Sequence, residues 1–186
     1  DMTAPAVPAD DTATEAAAAE AETFLTFTDA LFAVTGTPTD DRRMLASAIE
    51  LGFRDFPLPL QWKEKTGDGH KGSVTVGVIE SATLNEQGEV RGSGYMLNNE
   101  NAYKALELIQ HGVNRPSIDM ADATAVLAFD DGTEVTEENF DPAQRICETY
   151  TRATVTACTI VAIPAFGQTR LALNPERESR DVAMPA

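Results

Sequence analysis

Three residues of the sequence carry side chains that could together cleave a peptide bond. Ser117 and Asp119 lie in the run HGVNRPSIDM, and His70 lies in the Gly-rich run KTGDGHKGSV. A serine hydroxyl becomes a nucleophile when a histidine ring nitrogen removes its proton, and folding can join positions far apart in sequence. Side chains two apart on a strand share a face, so we expect Ser117 and Asp119 to point the same way. The local pattern alone also fits an ordinary strand hydroxyl and a solvated turn histidine.

Other chemistries have weaker support in the sequence. The acidic residues follow neither the spacing of a calcium loop nor that of a zinc-binding HExxH helix, so no metal site is expected. The glycines around His70 do not join a strand to a helix, as a phosphate loop requires, and no cofactor is expected. His111 ends a predicted helix and suits a cap. Cys147 and Cys158 have no neighbour that would lower a thiol pKa, so we interpret both as buried structural thiols.

Composition limits the class of protein and its partners. The 186 residues include 30 acidic and 14 basic side chains, which gives a formal net charge of −16. Phosphate groups repel such a surface, so neither nucleic acid nor an anionic membrane is an expected partner. No apolar run approaches the roughly 18 residues of a membrane helix. Two cysteines outside any metal-binding spacing favour a reducing, intracellular setting.

The chain is predicted to form one domain between two tails. Residues 1–22 are mostly Ala, Pro, Thr and acidic residues, and they have too few apolar side chains to offset the entropy lost on ordering. A disordered arm is therefore expected there. Residues 174–186 have a similar composition and are expected to form a flexible tail. The region between them, residues 23–173, has an ordinary length for a single domain.

Alternation of apolar and polar residues predicts that strands dominate this domain. The run FLTFTDALFAVTG is rich in β-branched and aromatic residues. Residues 73–83 and 89–96 flank the turn NEQGE, which predicts a β-hairpin. The two prolines of RDFPLPLQW are typical of an extended edge or barrel-corner segment and not of a central strand. The run PTDDRRMLASAIELGF is interpreted as a loop with a short helix.

One amphipathic helix is expected in the run NNENAYKALELIQHG. An asparagine can cap its first turn, Ala102, Leu106 and Ile109 recur at helical spacing, and Gly112 ends it. Beyond the helix, RPSIDM, ATAVLAF, TYTRATVTA and CTIVAIPAF are expected to be strands. About seven strands with an inserted helix predict an α+β, mainly β fold, namely a closed or nearly closed β-barrel with appended helices.

The order of five segments resembles one family of viral enzymes. GTPTDDRR, RDFPLPLQW, GHKGSVTVGVIES, GVNRPSIDM and CTIVAIPAF follow one another as in the prohead (capsid maturation) proteases of tailed bacteriophages, in the version found in phages of actinobacteria. The resemblance extends over residues 26–173. It implies a serine endopeptidase with a closed β-barrel related to herpesvirus assemblin.

The resemblance also implies roles for individual residues. His70, in the turn GHKGS, matches the family's general base, and Ser117 matches its nucleophile. The family's third catalytic member matches Ala157, where a carboxylate is missing, and we interpret Asp119 as the substitute. The further alternatives are Thr156, Thr159 and a Ser–His dyad with no third member. By analogy with assemblin, backbone N–H groups of Ala165 or Phe166, in the turn PAFG, are expected to form the oxyanion hole.

The implied substrates are the scaffolding segment of the phage major capsid protein and the protease chain itself. The expected location is the interior of the procapsid in the cytoplasm of the bacterial host. The capsid protein is the expected partner, and a homo-oligomer is compatible with this role. Because such proteases trim themselves, Asp1 and Ala186 are expected to be cleavage products. Two alternatives stay open: an inactive capsid-associated scaffold protein with the same barrel, and a β-barrel binding module.

Overall fold

The described part of the chain, residues 22–181 of a computed structural model, is mainly β-structure. The expected disordered arm, apart from Glu22, and the last five residues of the expected tail lie outside the described residues. Within that range, the elements in chain order are β1 (Thr23–Val34), β2 (Arg43–Phe53), β3 (Leu58–Trp62), β4 (Val74–Leu84), β5 (Glu89–Met96), α1 (Glu100–Gln110), β6 (Arg115–Phe129), β7 (Ile146–Val161) and β8 (Leu173–Ser179).

All the strands of this range belong to one sheet, in which β7 is the most enclosed strand. Seven strands follow the order β2-β7-β3-β4-β5-β1-β8, and β6 pairs with β7 outside this path. One edge of β7 is hydrogen-bonded to the antiparallel β6 along nearly its whole length. Its other edge pairs first with β2 and then with β3, both parallel to it. Cys158 therefore has a neighbour on each side, Leu60 of β3 and Ile118 of β6.

The expected closed barrel of about seven strands with appended helices is wrong. The sheet has eight strands and is open: among the described residues β6 forms a ladder only with β7, and β8 only with β1. One helix accompanies the sheet within this range. Alternation along a sequence identifies strands, but closure depends on the tilt and stagger of all strands together. The sequence of a single segment therefore does not show whether the sheet closes.

Two strands form where the sequence predicted other structure. β2 replaces the predicted loop and short helix, because parallel pairing with β7 holds the segment extended, and residues 46–49 bulge opposite Thr151. β8 occupies the first six residues of the segment assigned to the flexible tail, 174–179, and pairs with β1. The amide of Asn174 donates to the hydroxyls of Thr26 and Thr28 at 2.9 Å each. Because most side chains of β8 are exposed, its composition resembles that of a tail.

Several local predictions are confirmed. β4 and β5 form the expected hairpin, and α1 begins after the N-cap Asn99, whose side chain accepts a bond from Ala102 N at 2.8 Å. The run RDFPLPLQW is extended as predicted, but β3 lies inside the sheet, between β4 and β7. Pro59 fits there because pairing with β7 starts one residue later, at Leu60. No helix among the described residues is long and apolar enough to span a membrane.

A single hydrophobic core gathers side chains from both halves of the sheet. Phe27 and Phe32 of β1 belong to the same buried cluster as Leu60 of β3 and Ile160 of β7. The backbone also approaches closely: a Cβ at Gly94 would lie 1.9 Å from the carbonyl oxygen of Val78. This packing fixes β3 and β7, the two strands that support the candidate site.

Candidate active site

Ser117 and Asp119 lie at the start of β6, where this strand pairs with the C-terminal end of β7. Ser117 is the cross-strand partner of Thr159, and Asp119 is the partner of Ala157. Because side chains alternate along a strand, these four residues share one face of the pair. Ser117 is 6% exposed and Thr159 is fully buried. The predicted common orientation of Ser117 and Asp119 is therefore consistent with the register.

The imidazole of His70 binds the carboxylate of Asp119. Nδ1 of His70 lies 2.6 Å from Oδ1 of Asp119, although the two residues are 49 positions apart in sequence. A carboxylate accepts hydrogen bonds, so Nδ1 carries the proton and Nε2 of the neutral ring remains an acceptor. The two side chains are 25% and 23% exposed. The structure thus brings together two of the three predicted residues in the orientation that a general base requires.

The second oxygen of the Asp119 carboxylate has its own donor. Thr159 Oγ1 donates to Oδ2 at 2.7 Å, and Thr156 Oγ1 donates to the backbone oxygen of Asp119 at 3.3 Å. Behind Thr159, the side-chain oxygen of Gln61 lies 3.5 Å from the threonine hydroxyl and accepts a bond from Ser73 at 3.2 Å. Bonds to both oxygens fix the carboxylate plane, so Oδ1 stays directed at His70.

The register explains how Asp119 relates to the position where the family carboxylate is missing. Ala157 and Asp119 face each other across the β6–β7 ladder, so a carboxylate at 119 lies at the same level of the sheet as one at 157 would. Thr156 and Thr159, the other candidates for the third member, contact Asp119 and not His70. Thr159 therefore holds the carboxylate in place, and Thr156 bonds only the backbone of Asp119.

A tight turn presents His70 to the strand pair. Gly67, Asp68 and Gly69 have positive φ values of 97°, 50° and 57°, a conformation that glycine and aspartate adopt most readily. The ammonium group of Lys63 donates to the carbonyl oxygens of Gly67 and Gly69, the second at 2.7 Å. Lys63 follows β3 directly, so these two hydrogen bonds attach the turn to the end of β3.

His70 and Ser117 line one cavity of about 460 Å³, and the predicted oxyanion donors Ala165 and Phe166 line the same cavity. The carbonyl of Phe166 accepts bonds from Thr169, whereas the N–H groups of residues 165 and 166 donate to no other backbone group of the described chain. The His70 ring is bonded to Asp119 and not to Ser117. The cavity is therefore lined by Ser117, by His70 and by two residues whose N–H groups have no backbone acceptor.

The remaining candidates lie apart from this cavity. His111 is the C-cap of α1, and its Nδ1 lies 2.8 Å from the carbonyl oxygen of Glu107, in agreement with the predicted capping role. Cys147 and Cys158 are free and buried. Burial raises the pKa of both thiols, and the nearby Asp119 carboxylate raises that of Cys158 further. No cluster of three or more His, Cys, Asp or Glu residues suited to a metal occurs between residues 22 and 181.

Sequence reasoning missed three residues that support the site. Lys63 bonds the turn that carries His70, and Gln61 accepts bonds from Ser73 and Thr159. Gln61 is the polar residue of the short strand LPLQW, and a polar side chain among buried apolar ones is the one local signal that it has a bonding role. Lys63 and Ser73 carry no such signal, because their partners come from the folded turn.

Comparisons with known proteins found no relative. No protein-family model matches the chain, no curated protein matches it, and no solved structure matches it. The site is therefore interpreted from its own geometry and from the resemblance of its motifs.

Proposed function

We propose that this chain is a serine endopeptidase with Ser117 as nucleophile, His70 as general base and Asp119 as the third catalytic residue. The observation that supports this proposal best is the 2.6 Å contact between His70 Nδ1 and Asp119 Oδ1 in a chain whose Ser117 lines the same cavity as His70. This contact leaves Nε2 as the free acceptor of the ring. A histidine held in this tautomer by a carboxylate, in a cavity that a serine also lines, is compatible with a charge-stabilised general base.

The reaction proceeds in two stages on these groups. Nε2 of His70 takes the Ser117 hydroxyl proton as Oγ bonds to the carbonyl carbon of a peptide, and Asp119 stabilises the resulting imidazolium. His70 then gives that proton to the leaving amine nitrogen as the C–N bond breaks, which leaves an ester on Ser117. A water molecule, deprotonated by the same nitrogen, attacks the ester, and the Ser117 hydroxyl is regenerated when the C–Oγ bond breaks.

The tetrahedral intermediates carry a negative oxygen that needs hydrogen-bond donors. Backbone N–H groups of Ala165 and Phe166 are assigned to this role because they line the cavity and have no acceptor in the described backbone. Donors that are already in position stabilise such charge without reorganisation. Phe166 is 7% exposed, and its burial holds the turn in place.

The proposed substrates are the scaffolding segment of a phage major capsid protein and the protease chain itself, cleaved during procapsid maturation. This part rests on the order of the five motifs that resemble the prohead proteases. The proposed partner is thus the capsid protein, within the procapsid in the cytoplasm of the host cell. The open sheet differs from the barrel that the resemblance implied. The proposed roles of His70 and Asp119 are therefore supported by their contact and not by the fold.

Co-expression with the capsid protein tests the function directly. Capsid processing, followed on a gel, is expected with the wild-type chain and is expected to disappear with Ser117→Ala and with His70→Ala. The matched controls are Ser81→Ala, at an exposed strand serine, and His111→Ala, at the helix cap. Both controls are expected to process normally. Processing that persists in both site variants would refute the protease function.

Intact-mass measurement tests the trimming of the chain itself. When the full gene is expressed as the Ser117→Ala variant, we expect a longer product than the wild-type gene yields. Equal masses would contradict self-cleavage and leave cleavage of the capsid protein as a separate result.

A further inference from the structure

The cavity that holds Ser117 has a markedly apolar inner wall. The apolar residues that line this wall come from three strands: Met44 and Leu45 of β2, Met120 of β6, and Tyr150 and Val161 of β7. Met44 and Leu45 are each 2% exposed, so they belong to the packed core and give the wall a fixed back. The wall lies beside the proposed nucleophile, and a substrate side chain next to the scissile bond must contact it.

A second cavity, of about 450 Å³, adjoins the first. The two share Thr39, Asp40 and residues 162–166, so this last segment is the partition between them. The partition also includes Ala165 and Phe166, the proposed oxyanion donors. A peptide whose carbonyl points at these donors therefore crosses the partition and places neighbouring side chains in different cavities.

The charged groups of the first cavity are confined to its rim. Two of its basic side chains are already engaged: Lys63 binds the carbonyls of its own turn, and Arg43 lies 3.6 Å from Asp41 and 4.0 Å from Glu148. Lys65 is exposed. A carboxylate side chain inserted past this rim would lose its hydration against the apolar wall, and the exposed Asp40 and Asp41 that also line the cavity would repel it.

We propose that this cavity is a specificity subsite for a large, uncharged, apolar side chain immediately flanking the scissile bond, and that it excludes Asp and Glu. The inference rests on the proposed protease function and names the substrate class of that site. A volume of about 460 Å³ is far more than an alanine methyl group fills. Methionine side chains adapt to different shapes, so a wall with Met44 and Met120 accepts Leu, Met and Phe alike.

Cleavage of a proteome-derived peptide library by the wild-type chain, read by mass spectrometry, tests the subsite. We expect Leu, Met and Phe to be enriched next to the cleaved bond and Asp and Glu to be depleted there. In a matched peptide pair that differs only by Leu against Ala, kcat/KM should differ by about tenfold or more, since each buried methylene contributes about tenfold. Equal rates for the pair, with cleavage abolished by Ser117→Ala, would overturn the subsite and leave the protease function standing. No cleavage of any peptide or of the capsid protein would overturn both.

Two variants test the wall and its entrance separately. Met120→Ala enlarges the cavity, so we expect the preference to shift from Leu towards Phe and Trp, with thermal unfolding as the check on folding. Ile163 is 78% exposed and lines both cavities, so Ile163→Lys should fold normally and reduce the depletion of Asp and Glu. Leu127→Lys is the matched control, because Leu127 is 57% exposed near the other end of β6. An unchanged preference in Ile163→Lys, or an equal change in the control, would contradict the subsite.

Discussion

The two ends of the β6–β7 pair differ in how their polar side chains interact and in how far they are exposed. At the active end, residues 115–119 and 157–161, β7 lies between β6 and β3, and its polar groups bond one another in a partly buried position. At the outer end, residues 124–129 and 146–152, β7 lies between β6 and β2, and charged groups pair in solvent. Thr159 is fully buried, whereas the Arg152–Glu50 pair is 65% and 71% exposed. Both ends of β7 have a neighbouring strand on each edge, so the difference lies in the side chains: a buried threonine bonds the carboxylate at the active end, whereas an exposed ion pair lies at the outer end.

The largest expected effect is the loss of activity in Asp119→Asn. An amide cannot hold His70 in the tautomer that leaves Nε2 free, so kcat should fall roughly 10⁴-fold while the fold is kept. Peptide cleavage and a circular dichroism spectrum measure the two quantities. The control is Asp122→Asn, at an exposed aspartate of the same strand with a φ of 50°, which asparagine tolerates. A similar loss in the control, or normal activity in Asp119→Asn, would contradict the role of Asp119.

A pair of threonine variants compares the two ends directly. Thr159→Val removes the donor to Asp119 Oδ2, and displacement of the carboxylate should lower kcat by up to about 100-fold. Thr149→Val changes a threonine of β7 that is 2% exposed and donates to the Cys147 carbonyl, but at the outer end. Both should lose about 0.5–1.5 kcal/mol of unfolding free energy, because each removes the hydrogen bond of a buried threonine hydroxyl.

Chemical denaturation and steady-state kinetics separate these outcomes. Thr159→Ser keeps the hydroxyl and should restore kcat, whereas KM should change little in any of the three variants. If Thr149→Val lowered kcat as much as Thr159→Val does, the role of Thr159 would be general stability, and the contrast between the ends would fail.

The two thiols should differ in their response to pH. Burial raises the pKa of both, but the Arg42 cation partly offsets this for Cys147, whereas the Asp119 carboxylate adds to it for Cys158. The thiolate is the reactive form, so iodoacetamide should label native Cys147 at lower pH than Cys158. Because the folded state holds both protons more tightly than the unfolded chain, unfolding free energy should fall as pH rises above about 8.5. Peptide mapping after labelling gives the order, and labelling of Cys158 first would contradict it.

The smallest expected effect is at the surface of the outer end. Arg152→Gln removes the pair with Glu50, whose N–O distance is 2.7 Å, and should change unfolding free energy by no more than about 1 kcal/mol. Cleavage rates should stay at the wild-type level. A denaturation midpoint measured in low and high salt checks this, since an exposed pair is screened by salt. A large loss of stability would show that the outer end is less solvated than its exposure indicates.

Local patterns predicted the parts of this molecule that depend on neighbours in sequence. The β4–β5 hairpin, α1 with its Asn99 cap and the common face of Ser117 and Asp119 follow from turn chemistry and periodicity. β2 and β8 could not be predicted in this way. The helix-like spacing in β2 is overridden by pairing with β7, and the exposed residues of β8 are ordered by backbone bonds to β1.

The site itself was predicted only in part. His70, Ser117 and Asp119 were identified because their types match a known chemistry and their motifs match a family order. The roles of Gln61 and Thr159 depend on β3 and β6 lying on opposite edges of β7, which is a property of topology. The open sheet was missed for the same reason, since the ends of a sheet meet or fail to meet only in three dimensions.

The central position of β7 also sets when the site can appear during synthesis. β7 spans residues 146–161, so it leaves the ribosome after β2, β3 and β6, all three of which it joins. Until Thr159 emerges, the Asp119 carboxylate lacks its second donor, and β6 has no partner strand to hold Ser117 in place. Long-range pairing of this kind also forms slowly. If the proposed function holds, a nascent chain that already contains Ser117 and His70 is expected to be inactive until β7 has emerged.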